Sequence, residues 1–191
     1  MAKRNSIWKS SLSHLHDIRY LSLIAVFIAM KIVVGLIRIP VGENLRISIT
    51  FIIVALEASI TGPVCGMVSG AITDTLSFII FPDGAYFPGY TLTAMAGELI
   101  YALFLYQKKI TVTRIGLAKI CNNYLVNVCM GSLWSSILYD KAFIYYASIS
   151  IVKNTVLLPF EITILVVVFN LLIPSLVKRK LIPFQNKITL K

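Results

Sequence analysis

Several things are missing from this chain. It has no Walker A sequence, no Gly-rich phosphate cradle, no HExxH and no Ser in a GxSxG context. These absences remove the usual nucleotide-hydrolysing, zinc-peptidase and serine-hydrolase sites. Histidine is scarce, and His14 and His16 lie outside the long apolar runs, so no His pair is spaced for a metal there. Three cysteines, Cys65, Cys121 and Cys129, lie in apolar stretches with no CxxC. They give neither a metal site nor a disulfide framework and read as small buried hydrophobes. There is no Arg/Lys-rich helix for voltage sensing and no ion-filter sequence. Charge of either sign is sparse, at 14% of residues, where a soluble domain has about a quarter.

What remains is oil. Apolar residues make up 58% of the 191. This composition predicts an all-α integral membrane protein, multi-pass in the cell membrane, its apolar faces against lipid. One domain over 1–191 is expected, with a cytoplasmic amphipathic lead-in at 1–19 and a basic cytoplasmic tail at 177–191. The lead-in carries His14, His16 and Asp17 and lacks the layout of a cleavable signal.

Apolar runs at 21–37, 47–60, 64–80, 91–106, 115–138 and 148–176 predict six transmembrane helices. The net charge of +10 raises nucleic acid as a partner. The placement of the charge argues against it. Most of the 18 basic residues cluster at Lys3, Arg4, Lys9 and Arg19, at Lys108, Lys109, Arg114 and Lys119, and at Lys178, Arg179, Lys180, Lys187 and Lys191. An even span count puts these three clusters on one face, which predicts that both termini are cytoplasmic. Loops 38–48, 81–90 and 139–147 then face outward, with Arg38, Arg46 and Lys141.

One outward segment, 81–91, reads "FPDGAYFPGYT". Its prolines and glycines bar regular structure, and its rings fit either an interfacial aromatic belt or the wall of a site for a flat ligand. Polar residues within spans are costly and are functional candidates. Glu57 and Asp74 fit hydrogen bonds between helices. Glu98 suits either the edge of an amino-substituted heterocycle or a pairing with Lys153 or an Arg. Asn127, Trp134 and Ser135 recur near one face of span five, and Ser148, Ser150, Lys153 and Asn154 open span six. Polar groups therefore gather at the outer ends of spans four to six, as a cavity open to the outside requires. Ala25 and Ala29 form a small-residue pair on span one. Gly62, Gly66 and Gly70 form a ladder expected to pack on span two or one.

The segment "FPDGAYFPGYTLTAMAGELIYALFLY" and the upstream "LRISITFIIVALEASITGPVCGMVSGAITDTLSFII" resemble the substrate-binding S components of energy-coupling factor (ECF) vitamin transporters, and most of all their folate-specific branch. Matching positions include Phe81, Pro82, Gly84, Tyr86, Phe87, Pro88, Gly89, Tyr90, Thr91, Thr93, Gly97 and Tyr101, and upstream Arg46, Gly62, Pro63, Gly66, Gly70 and Asp74. Glu57 and Ser48 depart from the branch's usual small or apolar residue and Gly.

The resemblance implies the ECF S-component fold and a subunit that captures folate from outside. It also implies docking, through Ala25 and Ala29, on a transmembrane coupling subunit that works with two cytosolic ATPases. No catalysis by this chain and no cofactor are expected. The expected folate contacts are Tyr86, Phe87, Tyr90 and Trp134 as rings, Thr93 beside them, and Asn127, Asn154 and Glu98 as readers of the pterin edge. Arg38, Arg46 and Lys153 are expected at the folate carboxylates. Another vitamin such as riboflavin, or a six-span protein with no transport role, stands as the alternative.

Overall fold

A computed structural model of the chain describes residues 6–40, 46–82, 86–139, 142–183, 185 and 188. The expected spans are helices with shifted ends. After a short α1 (Ile7–His14) come α2 (Ile18–Gly35), α3 (Phe51–Thr61), α4 (Pro63–Ile80) and α5 (Pro88–Leu105). The fifth apolar run is one continuous rod. It begins as α6 (Val112–Cys121), passes through a π-helical stretch (Asn122–Met130) and ends as α7 (Gly131–Tyr139). The sixth is α8 (Phe143–Lys178), 36 residues long, or about 54 Å at the α-helical rise. Pro159 and Pro174 lie inside it.

Among the described residues, three helices are long and apolar enough to cross a membrane by length and composition: α2, α4 and α8. Their outer faces bear Val26, Val33, Ile72, Ile144, Val156 and Leu171, all exposed. Apolar side chains turned outward in this number match a lipid solvent, not water.

The polar turn between spans one and two is more regular than expected. β1 (Arg38–Pro40) pairs antiparallel with β2 (Arg46–Ser48), with Arg38 opposite Ser48 and Pro40 opposite Arg46. Span two therefore begins at Phe51 rather than 47, because 46–48 is spent on the ribbon. The backbone at Arg38 and Arg46 is described, but both side chains lie outside the described residues.

The core joins Phe27 of α2, Ile53 and Ala58 of α3, Tyr101 and Leu105 of α5, Ile115 of α6, and Leu165 and Phe169 of α8. The glycine ladder packs elsewhere than expected. A Cβ on Gly70 would sit 3.0 Å from the Ala94 carbonyl oxygen, and one on Gly66 would sit 3.3 Å from Glu98 Cβ. The ladder thus lets α4 approach α5, not spans one or two. Gly62 makes the one-residue turn from α3 into α4 with φ of 84°, a conformation that favours glycine. Its missing side chain leaves room for the Tyr106 ring and Ser11.

The lead-in helix α1 is clasped to that turn. Ser11 is fully buried. Its hydroxyl donates to the Thr61 carbonyl at 2.9 Å and accepts from the Val64 and Cys65 N–H groups. It thereby satisfies groups at a helix end and a helix start that would otherwise be orphaned. His14 Nδ1 hydrogen-bonds the same Thr61 carbonyl, and its ring stacks on Tyr20 at 3.7 Å. Ser11→Ala is expected to destabilise the protein by about 1–3 kcal/mol, the cost of leaving buried backbone groups unpaired. Thermal unfolding in detergent measures it. Of the cysteines, Cys65 is buried, Cys121 half-buried and Cys129 exposed, and all three are free.

Candidate functional site

The bends and ends of five elements enclose a cavity of about 410 Å³. Ser48, Thr50, Phe51 and Val54 line one side. Tyr90, Thr93, Ala94 and Gly97 of α5 line a second. Lys119, Asn122, Val126, Asn127, Ser132 and Ser135 come from the α6–π–α7 rod. Tyr146, Ser150, Lys153, Asn154 and Glu161 come from α8.

The π-helical stretch carries three amides, of which Asn122 and Asn127 line the cavity. A wider turn changes the angle between successive side chains, and such turns gather at functional sites. Asn123 donates to Glu161 Oε2 at 2.8 Å. Asn127 Nδ2 donates to Asn123 Oδ1 at 3.3 Å and to Asn154 Oδ1 at 3.4 Å. Asn154 Nδ2 in turn donates to the Ser150 carbonyl at 2.8 Å. The chain of amides is thus mutually oriented before any ligand arrives.

At the cavity's edge Lys119 pairs with Glu161, Nζ to Oε1 at 3.1 Å, and lies 4.0 Å from the centroid of the Phe51 ring. Lys119 is 2% exposed. The sequence reading placed it in a cytoplasmic basic loop, and the structure corrects this. It belongs to α6 and its charge is spent inside the fold. Two lysines and one glutamate line the cavity, a balance that favours an anionic guest.

Among the described residues, two hydroxyls in the wall have no hydrogen-bond partner. Ser132 Oγ and Tyr146 OH are buried and make no hydrogen bond. Orphaned buried polar groups are uncommon in native folds, and a ligand is one thing that satisfies them.

The expected site residues separate into three groups. Tyr90, Thr93, Asn127, Lys153 and Asn154 do line the cavity. Phe87 and Trp134 stand behind its wall. Their rings meet at 5.6 Å, and Trp134 Nε1 donates to Thr93 Oγ1 at 3.0 Å. Gly89 lies beneath both rings, where any Cβ would collide with them. Tyr86 is exposed, with its ring tilted on Phe78 at 5.2 Å and its hydroxyl 3.2 Å from Thr91 Oγ1. It does not reach the cavity. Residues 83–85 of the aromatic segment lie outside the described residues.

Glu98 does not line the cavity either. It is 1% exposed, and its Oε1 accepts from Lys31 Nζ at 2.7 Å. Lys31, inside the first apolar run, is the partner that the sequence reading passed over. Asp74 accepts from Thr91 Oγ1 at 2.7 Å, a bond from α4 to α5 of the kind expected. Ala25 and Ala29 both lie on an exposed face of α2. Among the described residues no group of His, Cys, Asp and Glu is arranged to hold a metal.

A helical membrane fold around a half-open cavity with convergent polar groups defines a membrane-embedded binding subunit, and comparison gives its family. Residues 19–169 match the family model "ECF transporter, substrate-specific component". The chain belongs to this family: it is a substrate-specific component of an ECF transporter. It is similar to the folate transporter FolT of Clostridium novyi (strain NT), 40% identical over 61% of this chain and 68% of that one. It is also similar to the folate transporter FolT of Leuconostoc mesenteroides, 30% identical over 78% of this chain and 83% of that one. Among solved structures it resembles a crystal structure of FolT bound with folic acid. There the TM-score is 0.71 with 30% identity, over 76% of this chain and 88% of that one.

Proposed function

We propose that this chain captures folate from outside the cell for an ECF importer and that the ligand occupies the cavity between α5, the α6–π–α7 rod and α8. One observation carries the reading: the cavity wall combines the Tyr90 ring, an ordered run of amides and two partnerless hydroxyls, Ser132 and Tyr146. Ligand sites of about 300–1,000 Å³ with a few convergent polar groups have this character. The family match and the FolT relatives support the same reading.

A pterin is flat, and its edge alternates donors and acceptors. Tyr90 offers a face for stacking. Asn127, Asn154, Ser132 and Tyr146 offer edge contacts, with Thr93 held between Trp134 and the cavity. The glutamate tail carries two carboxylates. Lys153 lines the cavity, and so does Ser48, which ends the ribbon strand that begins at Arg46 and pairs with Arg38, so these residues are assigned to the tail. Six spans with both termini cytoplasmic complete the topology, and 1–191 acts as one domain. The exposed Ala25–Ala29 face of α2 docks on the coupling subunit, where small side chains permit close helix contact. ATP is hydrolysed by two partner subunits, and the chain itself needs no cofactor.

Acid extraction of the detergent-purified protein, followed by absorbance and mass analysis, tests the ligand. Folate in the extract is expected. An extract that holds a flavin and no folate keeps the family and discards folate.

A further inference from the structure

A second polar cluster lies outside the cavity. Lys31 of α2 projects between α3, α4 and α5. Its Nζ is 2.6 Å from Glu57 Oε2, 2.7 Å from Glu98 Oε1 and 2.9 Å from Ser69 Oγ. The three side chains that carry charge are at most 3% exposed. An ammonium has three donors; two are given to Ser69 Oγ and Glu98 Oε1, and Glu57 Oε2 is held by ion pairing. Among the described residues, Lys31 is the cation that touches either carboxylate.

The charges do not balance. Two carboxylates and one ammonium sum to −1 at a place sealed from water. Uncompensated charge in a low-dielectric interior is costly, and more so at membrane depth. The hydrogen bonds do not balance either. Among the described residues, both carboxylate oxygens of Glu57, together with Glu98 Oε2, are buried without a hydrogen-bond partner. Cys65 on α4 feels Glu57 and Tyr101 on α5 feels Glu98, and neither side chain has a positive form. The site is built into the packing: glycines at 66 and 70 make the groove that Glu98 occupies.

We propose that Lys31, Glu57 and Glu98 form a one-proton site, in which the two carboxylates together hold a single bound proton. One proton taken from water turns one carboxylate into a carboxylic acid. The cluster becomes neutral, and the new O–H supplies a donor where oxygens have none. The same atom removes the charge deficit and lessens the hydrogen-bond deficit. The site ties α2, whose opposite face carries Ala25 and Ala29, to α3, α4 and α5 through a neutral hub.

Infrared difference spectroscopy of the full chain in lipid nanodiscs, in H₂O and D₂O, tests this. The wild type is expected to show the C=O band of a protonated carboxyl group. Glu57→Gln and Glu98→Gln are each expected to abolish it, because an amide replaces the acid and leaves one carboxylate facing one ammonium. Either variant suffices if the other fails to fold, and ¹³C-glutamate labelling of the wild type assigns the band to glutamate independently. A wild-type spectrum without a glutamic-acid band overturns the proposal, as does a band that persists in both variants. A missing band together with a melting temperature that rises with sodium but not choline chloride also overturns it, in favour of a bound cation.

Discussion

Ser132→Ala combined with Tyr146→Phe is expected to weaken folate binding about 100-fold, or about 2.7 kcal/mol, with little change in the melting temperature of the ligand-free protein. Both hydroxyls are buried in the cavity wall and make no bond inside the protein. Removing them therefore costs the fold nothing in hydrogen bonds. Each bond formed to a ligand contributes about 0.5–1.5 kcal/mol, so two of them account for the expected loss. Isothermal titration with folic acid and a thermal scan without ligand separate the two effects. A double variant that binds as tightly as wild type removes both residues from the site. A double variant that melts much lower means that the hydroxyls support the fold instead.

Lys31→Met is expected to destabilise the protein by about 3–5 kcal/mol, the usual cost of removing one partner from a buried ion pair. Glu57 and Glu98 are then left in the interior without a cation. The triple variant Lys31→Met, Glu57→Gln, Glu98→Gln is expected to recover most of this loss, because no charge remains to be buried. Chemical denaturation in mixed micelles provides the comparison. If Lys31→Met alone unfolds at the wild-type denaturant concentration, the ion pairs do not hold these helices together.

The helices were legible because they follow the apolar runs, and runs such as 64–80 map onto α4 almost residue for residue. The gathering of polar side chains from α5, the α6–π–α7 rod and α8 was legible for a related reason. Amides such as Asn127 and Asn154 are rare enough in apolar runs to stand out. Two lysines were not legible. Lys31 and Lys119 were read by their place in the sequence, one passed over inside an apolar run and the other assigned to a loop. Each partner, Glu57 or Glu98 for the first and Glu161 for the second, lies 26 to 67 residues away, and no local pattern shows such a pairing.

The rod from Val112 to Tyr139 shows a second limit. A helical wheel of ordinary pitch puts Asn127, Trp134 and Ser135 on one face. The π-helical turns over Asn122–Met130 shift that register. Asn127 and Ser135 reach the cavity, while Trp134 turns to Phe87 and Thr93. The aromatic segment divided likewise. Tyr90 begins a helix and faces inward, while Tyr86 precedes the helix and faces out.

The most direct test of the account is a titration of ligand-stripped, full-length protein with folic acid, followed by tryptophan fluorescence. The chain has two tryptophans. Trp8 lies on α1, and Trp134 donates a hydrogen bond to Thr93 in the cavity wall. A quench that saturates at one folate per chain and persists in Trp8→Phe is the predicted result. No response to folate in folded protein, or saturation by riboflavin instead, would contradict it.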